Sequence, residues 1–352
     1  MIDPMLHLLL NVYVPAMTGL DIGSKTIKIV ELEKEGEGFA LSASGIVGYS
    51  GITVDRMIDE KEMASLGQII KKLHKEAGVS SGDVVISIPE PLVFTRTIKF
   101  PLLTDAEIAS AVKWESEQYI PIPVAEAVIQ HTVLARNEKS SPPEVLVLLV
   151  AAPRAIVEKY IKVVQFAGLN AVAVETELLA LTRSLAPPER TVLLVDLGAS
   201  STNIAIARQG LLAFSRSVAI AGDAFTRAVS QGLGVTAEQA EEYKKTYGLT
   251  SVQLEGKVKG VLDPVLALVA DEIKKAVSYY LTEERGETPD ALIITGGTSA
   301  VPEMISTMTK LTGIEVLAGN PFSKIKVDTG TAQKLAPYAP LYSVAVGLAM
   351  RE

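Results

Sequence analysis

Two segments about 175 positions apart repeat one plan. Residues 19–31 read GLDIGSKTIKIVE and residues 193–206 read LLVDLGASSTNIAI. Each runs from an apolar strand to an Asp, an apolar residue, a Gly, a cluster of small hydroxyl residues and a second strand. A strand–Asp–Gly–turn–strand unit repeated one domain apart predicts two related halves facing one another across a cleft. The turn suits phosphate: successive backbone N–H groups and small hydroxyls form a concave anion site, and Gly permits close backbone approach. The adjoining carboxylate, Asp21 in one copy and Asp196 in the other, suits a hydrated Mg²⁺, which favours a carboxylate plus waters and phosphate oxygens.

Composition narrows the classes. A chain of 352 residues supports roughly two domains with their own cores. Hydrophobic content of 48% with only 5% aromatic residues points to an aliphatic α/β protein. A net charge of −8 argues against nucleic acid as a main partner, and no Lys/Arg run forms a polybasic membrane patch. The absence of Cys excludes disulfides, thiolate zinc sites, iron–sulfur clusters and cysteine nucleophiles. His7, His74 and His131 are too far apart in sequence to suggest a histidine metal site, and a reducing cytosol fits. The opening MIDPMLHLLLNVYVPA holds an apolar run, Met5 to Val14, too short to span a bilayer and without the basic flank of a signal peptide. It reads as a loosely attached leader, or translation begins at Met17; a short docking segment is the sharper alternative.

Periodicity predicts strands at 18–22, 26–33 and 38–48, a helix at 60–78 ending at Gly78, and a strand at 84–89. Three strands, a helix and another strand make half of a ribonuclease-H-like sheet. A different style begins at Leu92: a strand at 94–100, then a helix opened by a Thr104/Glu107 capping box and stopped at Pro121–Ile122–Pro123. Strands at 126–136 and 145–152 and a helix at 153–167 closed by Gly168 complete what reads as a small α/β insertion. The sheet resumes at 170–175 with a helix to 185, and Pro187–Pro188 marks the junction. The second half repeats the hairpins, followed by helices at 222–233, 236–247 and 264–285, a strand at 291–297, a helix at 302–312, more strand, and a terminal helix at 341–350.

GLDIGSKT imitates a phosphate loop of the strand–loop–helix type but fails its spacing. Three residues, not four, separate Gly19 from Gly23, and Ser24 precedes Lys25. TIKIVEL then alternates with period two, whereas such a loop must open a helix. A third element, LIITGGTSAVPEM (292–304), runs a buried strand into Gly296–Gly297, where the backbone can lie against a flat ligand such as an adenine ring.

These three elements, with VETELLALT (174–182) and YSVAVGLAM (342–350), stand in the order of the actin, sugar-kinase and heat-shock-chaperone ATPase superfamily. Within it the chain most resembles the PilM family of type IV pilus assembly proteins, and more distantly the FtsA cell-division family. AVKWESEQYIPIPVAEAV (111–128) and IAGDAFTRAVSQGLGVTAEQAEEYKKTYG (220–248) carry that closer resemblance. It implies an actin-like, ribonuclease-H-like duplicated α/β fold: two lobes around a nucleotide cleft, with a small α/β insertion in the first. The corresponding division is 17–91 with 171–190 and 340–352 for the first lobe, 92–170 for the insertion, 191–235 with 288–339 for the second lobe, and 236–287 for a small helical subdomain.

The resemblance also assigns roles. Asp21 and Asp196 would orient Mg²⁺ through water, and Gly23, Ser24, Lys25 and Thr26 would contact the β- and γ-phosphates of ATP. Lys28, on the strand face of Thr26, would neutralise phosphate charge or stand as a solvated strand lysine. Gly198, Ala199, Ser200, Ser201 and Thr202 would form the opposing clasp, and Gly296, Gly297, Thr298 and Ser299 would border the adenosine. Glu241 and Lys244 would lie near ribose and adenine, or belong to a charged solvent-facing helix. Glu175 stands where the superfamily often polarises the attacking water, although VETELL also reads as a plain strand-to-helix junction. Hydrolysis would be slow at most.

The insertion carries the only Trp and is the expected docking surface for the N-terminal tail of the inner-membrane protein PilN, with strand 94–100 and helix 105–119 as candidates. Ile108, Val112 and Tyr119 share a helical stripe suited to the core, and Trp114 lies off it. The implied setting is cytoplasmic, joined to the membrane only through PilN and other pilus assembly proteins. Two alternatives are a small-molecule kinase of the same superfamily and an FtsA-like filament-forming ATPase.

Overall fold

The computed structural model describes residues 17–351 apart from 140 and 285; the opening segment lies outside the described residues. The chain divides into two compact units. One runs to Ala180 and includes Leu211–Ala213 and Val344–Glu352; the other comprises Leu181–Gly210 and Phe214–Ser343.

The first unit is built on strands β1 (Thr18–Ile22), β2 (Thr26–Glu35), β3 (Gly38–Gly48), β4 (Asp83–Ile88) and β8 (Asn170–Thr176), in the order β3-β2-β1-β4-β8. β1, β2 and β3 form an antiparallel meander, and β4 and β8 add in parallel. Alternation along the strands separates two cores. Leu20, Ile22, Ile86 and Ile88 face helices α1 (Glu60–Ala77) and α3 (Arg154–Phe166), which supply Leu66, Ile70, Tyr160 and Val163. Val85 and Ala173 face the other way, toward Ala180 of α4 (Glu177–Leu185) and Val344 and Leu348 of α10 (Ser343–Ala349). α10 packs directly on the sheet: a β-carbon at Gly19 would stand 2.1 Å from the Ala345 oxygen, and one at Gly347 only 1.9 Å from the Ala180 oxygen.

Between β4 and β8 the chain forms a three-stranded antiparallel sheet of β5 (Phe94–Pro101), β6 (Ala127–Asn137) and β7 (Glu144–Pro153), in the order β5-β7-β6. Helix α2 (Asp105–Tyr119) opens with the expected Thr104/Glu107 capping box and buries Ile108 and Val112 against Phe100, Val145, Val147 and Leu149. Tyr119 is not part of that core. Ser116 continues the buried stripe, while Tyr119 is 40% exposed with the Arg96 guanidinium 3.9 Å above its ring. Trp114, on the opposite face, is 65% exposed.

The second unit repeats the sheet. β9 (Thr191–Leu197), β10 (Thr202–Arg208), β11 (Leu211–Val218), β12 (Ala291–Thr295) and β13 (Val316–Ala318) lie in the order β11-β10-β9-β12-β13. Third, second, first, fourth, fifth is the same topology as in the first unit, so the duplication suggested by two short segments extends to the whole sheet. Its helices are α5 (Gly222–Leu233), α6 (Ala237–Thr246), α7 (Lys257–Thr282), α8 (Met304–Thr312) and α9 (Thr329–Leu335).

Several boundaries differ from expectation. α7 begins two turns before Pro264, not at it. Pro264 therefore stands inside the helix, where its missing N–H leaves one backbone hydrogen bond unmade. α8 starts at Met304 after a 3₁₀ turn, Gly297–Ala300, with Glu303 in the left-handed region at φ 61°. Beyond Thr312 the expected strand is the three-residue β13, and helix α9, which the sequence analysis does not predict, follows it. The terminal helix begins at Ser343, after a 3₁₀ stretch, Ala336–Tyr342. Among the described residues no helix is long and apolar enough to cross a membrane.

Candidate functional site: two matched turns

The two Asp–x–Gly turns have the same geometry. In the first, the Gly23 N–H donates to the Thr26 carbonyl at 3.1 Å; in the second, the Gly198 N–H donates to the Ser201 carbonyl at 3.1 Å. A β-carbon would stand 2.9 Å from the Thr26 oxygen at Gly23 and 2.9 Å from the Ser201 oxygen at Gly198. Glycine is required at both because the turn folds back onto its own Cα. Each turn leaves a strand two residues after its Asp, which places both carboxylates at the mouth of their hairpins.

In the first unit Asp21 faces Lys28 across the ladder. Lys28 is buried, which removes the reading of a solvated strand lysine, and its Nζ donates to Asp21 Oδ2 at 2.8 Å. The same ammonium would lie 3.2 Å from a β-carbon at Gly23, so it forms part of the floor of the turn. Lys25 is exposed at the tip, where its carbonyl accepts the Tyr49 N–H at 2.7 Å, and Ser24 and Thr26 are half-buried beside it.

In the second unit the matching register sets Asn203 across from Asp196, and Thr295 of β12 beside it. Gly222 and Asp223, at the start of α5, donate their N–H groups to the Gly198 and Ala199 carbonyls at 3.1 and 2.8 Å, and the Thr298 hydroxyl donates to Gly198 at 2.9 Å. The turn is thereby pinned from two elements. Ser200 is exposed at its tip, and Ser201 is buried. Thr202 is the first residue of β10, fully buried, with its hydroxyl on the Ile220 carbonyl at 2.5 Å; it braces the strand and does not face the open side of the turn.

Gly296 has φ 84°, and a β-carbon there would stand 2.2 Å from Asp196 Oδ1. The glycine is demanded by the Asp196 carboxylate, whereas Gly297 is the exposed one of the pair. Ser299 donates its hydroxyl to the Gly296 carbonyl at 2.7 Å, so Thr298 and Ser299 both tie the loop inward.

Lys244 is not on a solvent-facing surface: it is 5% exposed, and its ammonium donates to the Gly222 carbonyl (3.2 Å), the Thr226 hydroxyl (2.9 Å) and Glu241 Oε2 (2.6 Å). Three N–H groups meet three acceptors. The Thr226 hydroxyl in turn donates to Glu241 Oε2 at 2.5 Å. Burial would raise the Glu241 carboxyl, but hydrogen bonds from Lys244 and Thr226 and the Lys244 charge outweigh it and bring it down to about 2. Burial lowers Lys244 despite its partner. The cluster locks α6 to the start of α5, and hence to the turn that α5 holds.

Glu175, the last residue but one of β8, pairs with Ser87 and lies 3.3 Å from Arg351 Nη1, with both side chains about nine-tenths buried. Arg351, Asn203 and Gly222 had no site role in the sequence analysis; only Gly222 carried a signal, as the Gly of GDAF before an apolar helical run.

Two units with the same sheet order, each ending its first strand in an Asp–x–Gly turn, define an actin-like protein of duplicated ribonuclease-H-like halves. A family model described as type IV pilus assembly protein PilM matches residues 19–352, and the chain belongs to that family. A chain of a solved PilM-PilN type IV pilus biogenesis complex is 28% identical, with a TM-score of 0.81 over 96% of this chain and 98% of that one. The cell division protein FtsA of Staphylococcus epidermidis is 27% identical over 253 residues, 65% of this chain and 54% of that protein, so the chain spans about half the length of this relative. MreB 5 of Spiroplasma citri, solved bound to AMPPNP, shares the fold at 12% identity, with a TM-score of 0.53 over 94% of this chain and 93% of that one.

Proposed function

We propose that the chain binds Mg-ATP at its two matched turns and, in that state-dependent form, engages the N-terminal tail of PilN on residues 92–170 as a cytoplasmic component of pilus assembly. The observation that carries the nucleotide reading is the identical closure of the turns at Gly23 and Gly198, each beside an Asp. The donor set fits the ligand. Glycine cradles admit phosphate oxygens to backbone N–H groups, and Asp21 and Asp196 are hard oxygen ligands of the kind that hold a hydrated Mg²⁺. The cation would supply charge neutralisation of the phosphates, with Lys28 adding to it from the floor of the first turn. Gly297 and the loop behind it would border the adenosine, positioned by the tie of Lys244 and Glu241 to α5.

The tail reading is supported by the exposed aromatic face of the insertion. Trp114 projects from α2, and the Arg96–Tyr119 stack links α2 to the outer strand β5. Trp and Tyr with Arg are the residue types that carry most binding energy at interfaces.

Thermal melting with and without Mg-ATP tests the first part. Binding to the native state raises Tm by mass action. The rise should vanish in Asp21→Ala and in Asp196→Ala; no rise in the wild type, with no nucleotide released on denaturation, would reject nucleotide binding. Trp114, the only tryptophan, reports the second part. Its fluorescence should change on titration with the PilN tail, with a different midpoint when Mg-ATP is present, and equal midpoints would reject coupling.

A further inference from the structure

Among the described residues, a buried acid at the root of the insertion lacks a counter-charge. Glu90 lies between Pro89 and Pro91 at the start of a 3₁₀ turn, Glu90–Leu92, where the chain leaves β4 for the inserted sheet. It is 5% exposed, and its Oε2 has no hydrogen-bond partner. The groups around it are nearly all neutral: the Leu178 N–H at the start of α4, the Thr176 hydroxyl of β8 and the Thr95 hydroxyl of β5. A charged neighbour is itself a carboxylate, Glu177 of α4, whose Oε2 accepts Glu90's own N–H at 3.2 Å. Behind Glu177 stands the Tyr160 phenol of α3, which burial and then the Glu177 charge push well up. No lysine, arginine or histidine pairs with Glu90 among the described residues.

An ionised carboxylate in such a place loses its hydration without an ion pair in return. Burial pushes Glu90 up to about 7, and the nearby Thr95 and Thr176 hydroxyls and the Leu178 N–H only partly oppose that. The turn that holds it is slight, closed by the Leu92 N–H on Pro89 (2.9 Å) and the Val93 N–H on Glu90 (3.2 Å). Opening these two bonds would let water reach the carboxylate, at the cost of loosening Leu92 and Val93 at the edge of the first core.

We infer that Glu90 is a protonated carboxylic acid that locks the joint between β4 and the inserted sheet, and that its ionisation releases the turn from Pro89 to Phe94. The device is a pH-sensitive joint at the root of the insertion. Hydrogen exchange on the full chain tests it, with rates corrected for intrinsic base catalysis. If the opened turn gives Glu90 an ordinary carboxylate value, protection at the Leu92 and Val93 amides should fall about tenfold between pH 6 and pH 8. Glu90→Gln, which keeps the shape and cannot ionise, should show protection that does not vary with pH. A tenfold fall retained in the Gln variant, or no fall in the wild type, overturns the inference. Infrared spectra of the wild type with isotopically labelled glutamate give a second measure: a carboxylic-acid band at pH 6 that bleaches by pH 8. Absence of that band at pH 6 overturns it as well.

Discussion

Lys28 faces Asp21 across the first hairpin with its ammonium 2.8 Å from the carboxylate, whereas Asn203 holds the corresponding place opposite Asp196 in the second. The two copies of the motif share a backbone and differ in charge, so the first turn carries its own cation and the second does not carry one at that position.

Removing one partner of this buried pair should be costly. Lys28→Met leaves Asp21 buried without its cation and should lower stability by about 3–5 kcal/mol in denaturant unfolding. The double variant Asp21→Asn with Lys28→Met should recover most of that loss. Additive losses would show that the pair is not coupled.

Gly296 and Gly297 are adjacent and should respond very differently to alanine. At Gly296 the new β-carbon would lie 2.2 Å from Asp196 Oδ1 in a left-handed conformation, while at Gly297 the nearest atom is a leucine methyl, Leu341 Cδ2, at 3.3 Å. Gly296→Ala should lose on the order of 2 kcal/mol or more, with Gly297→Ala within about 1 kcal/mol of the wild type. Equal effects would contradict the placement of the Asp196 carboxylate.

Acid should weaken the α5–α6 tie. The Glu241 carboxyl sits at about 2 in the folded chain, below its ordinary value, so its stabilisation is present above about pH 4.5 and is lost as pH falls toward 2. The Tm difference between wild type and Glu241→Gln should be largest near neutrality and shrink steadily below pH 4.5. A difference that stays constant with pH would rule out the Lys244–Glu241 pair as its source.

On α2 two apolar residues six positions apart should behave as opposites. Ile108 is fully buried against the inserted sheet, and Ile108→Ala should destabilise by about 2–5 kcal/mol. Trp114 is largely in water, and Trp114→Ala should change stability by no more than about 0.5 kcal/mol. A large loss at Trp114 would mean that it packs on something within the chain.

Local chemistry made much of the fold legible before any coordinates. The Thr104/Glu107 capping box opens α2 where expected, and Gly78 and Gly168 take the left-handed conformation that ends α1 and α3. The hairpin glycines were legible because a tight turn admits little else. Pro264 misled, since proline usually marks a first helical turn, whereas α7 begins seven residues before it. Tyr119 misled in the other direction. It falls on the stripe of Ile108 and Val112, but it closes the helix and turns its ring to Arg96.

The sequence by itself determined the duplicated hairpins, the strand order they begin and the family they belong to, because turn glycines, caps and apolar periodicity act within a few residues of one another. Only the tertiary structure decided what the charged groups do. Lys28 and Lys244 are buried and paired, Glu175 is held by Arg351, Glu90 has no cation among the described residues, and Gly296 is glycine on account of a carboxylate about a hundred positions away. Those facts depend on which distant backbone and side chain fill the space around each charge, and burial, which sets the electrostatic energy, is a property of the packed molecule.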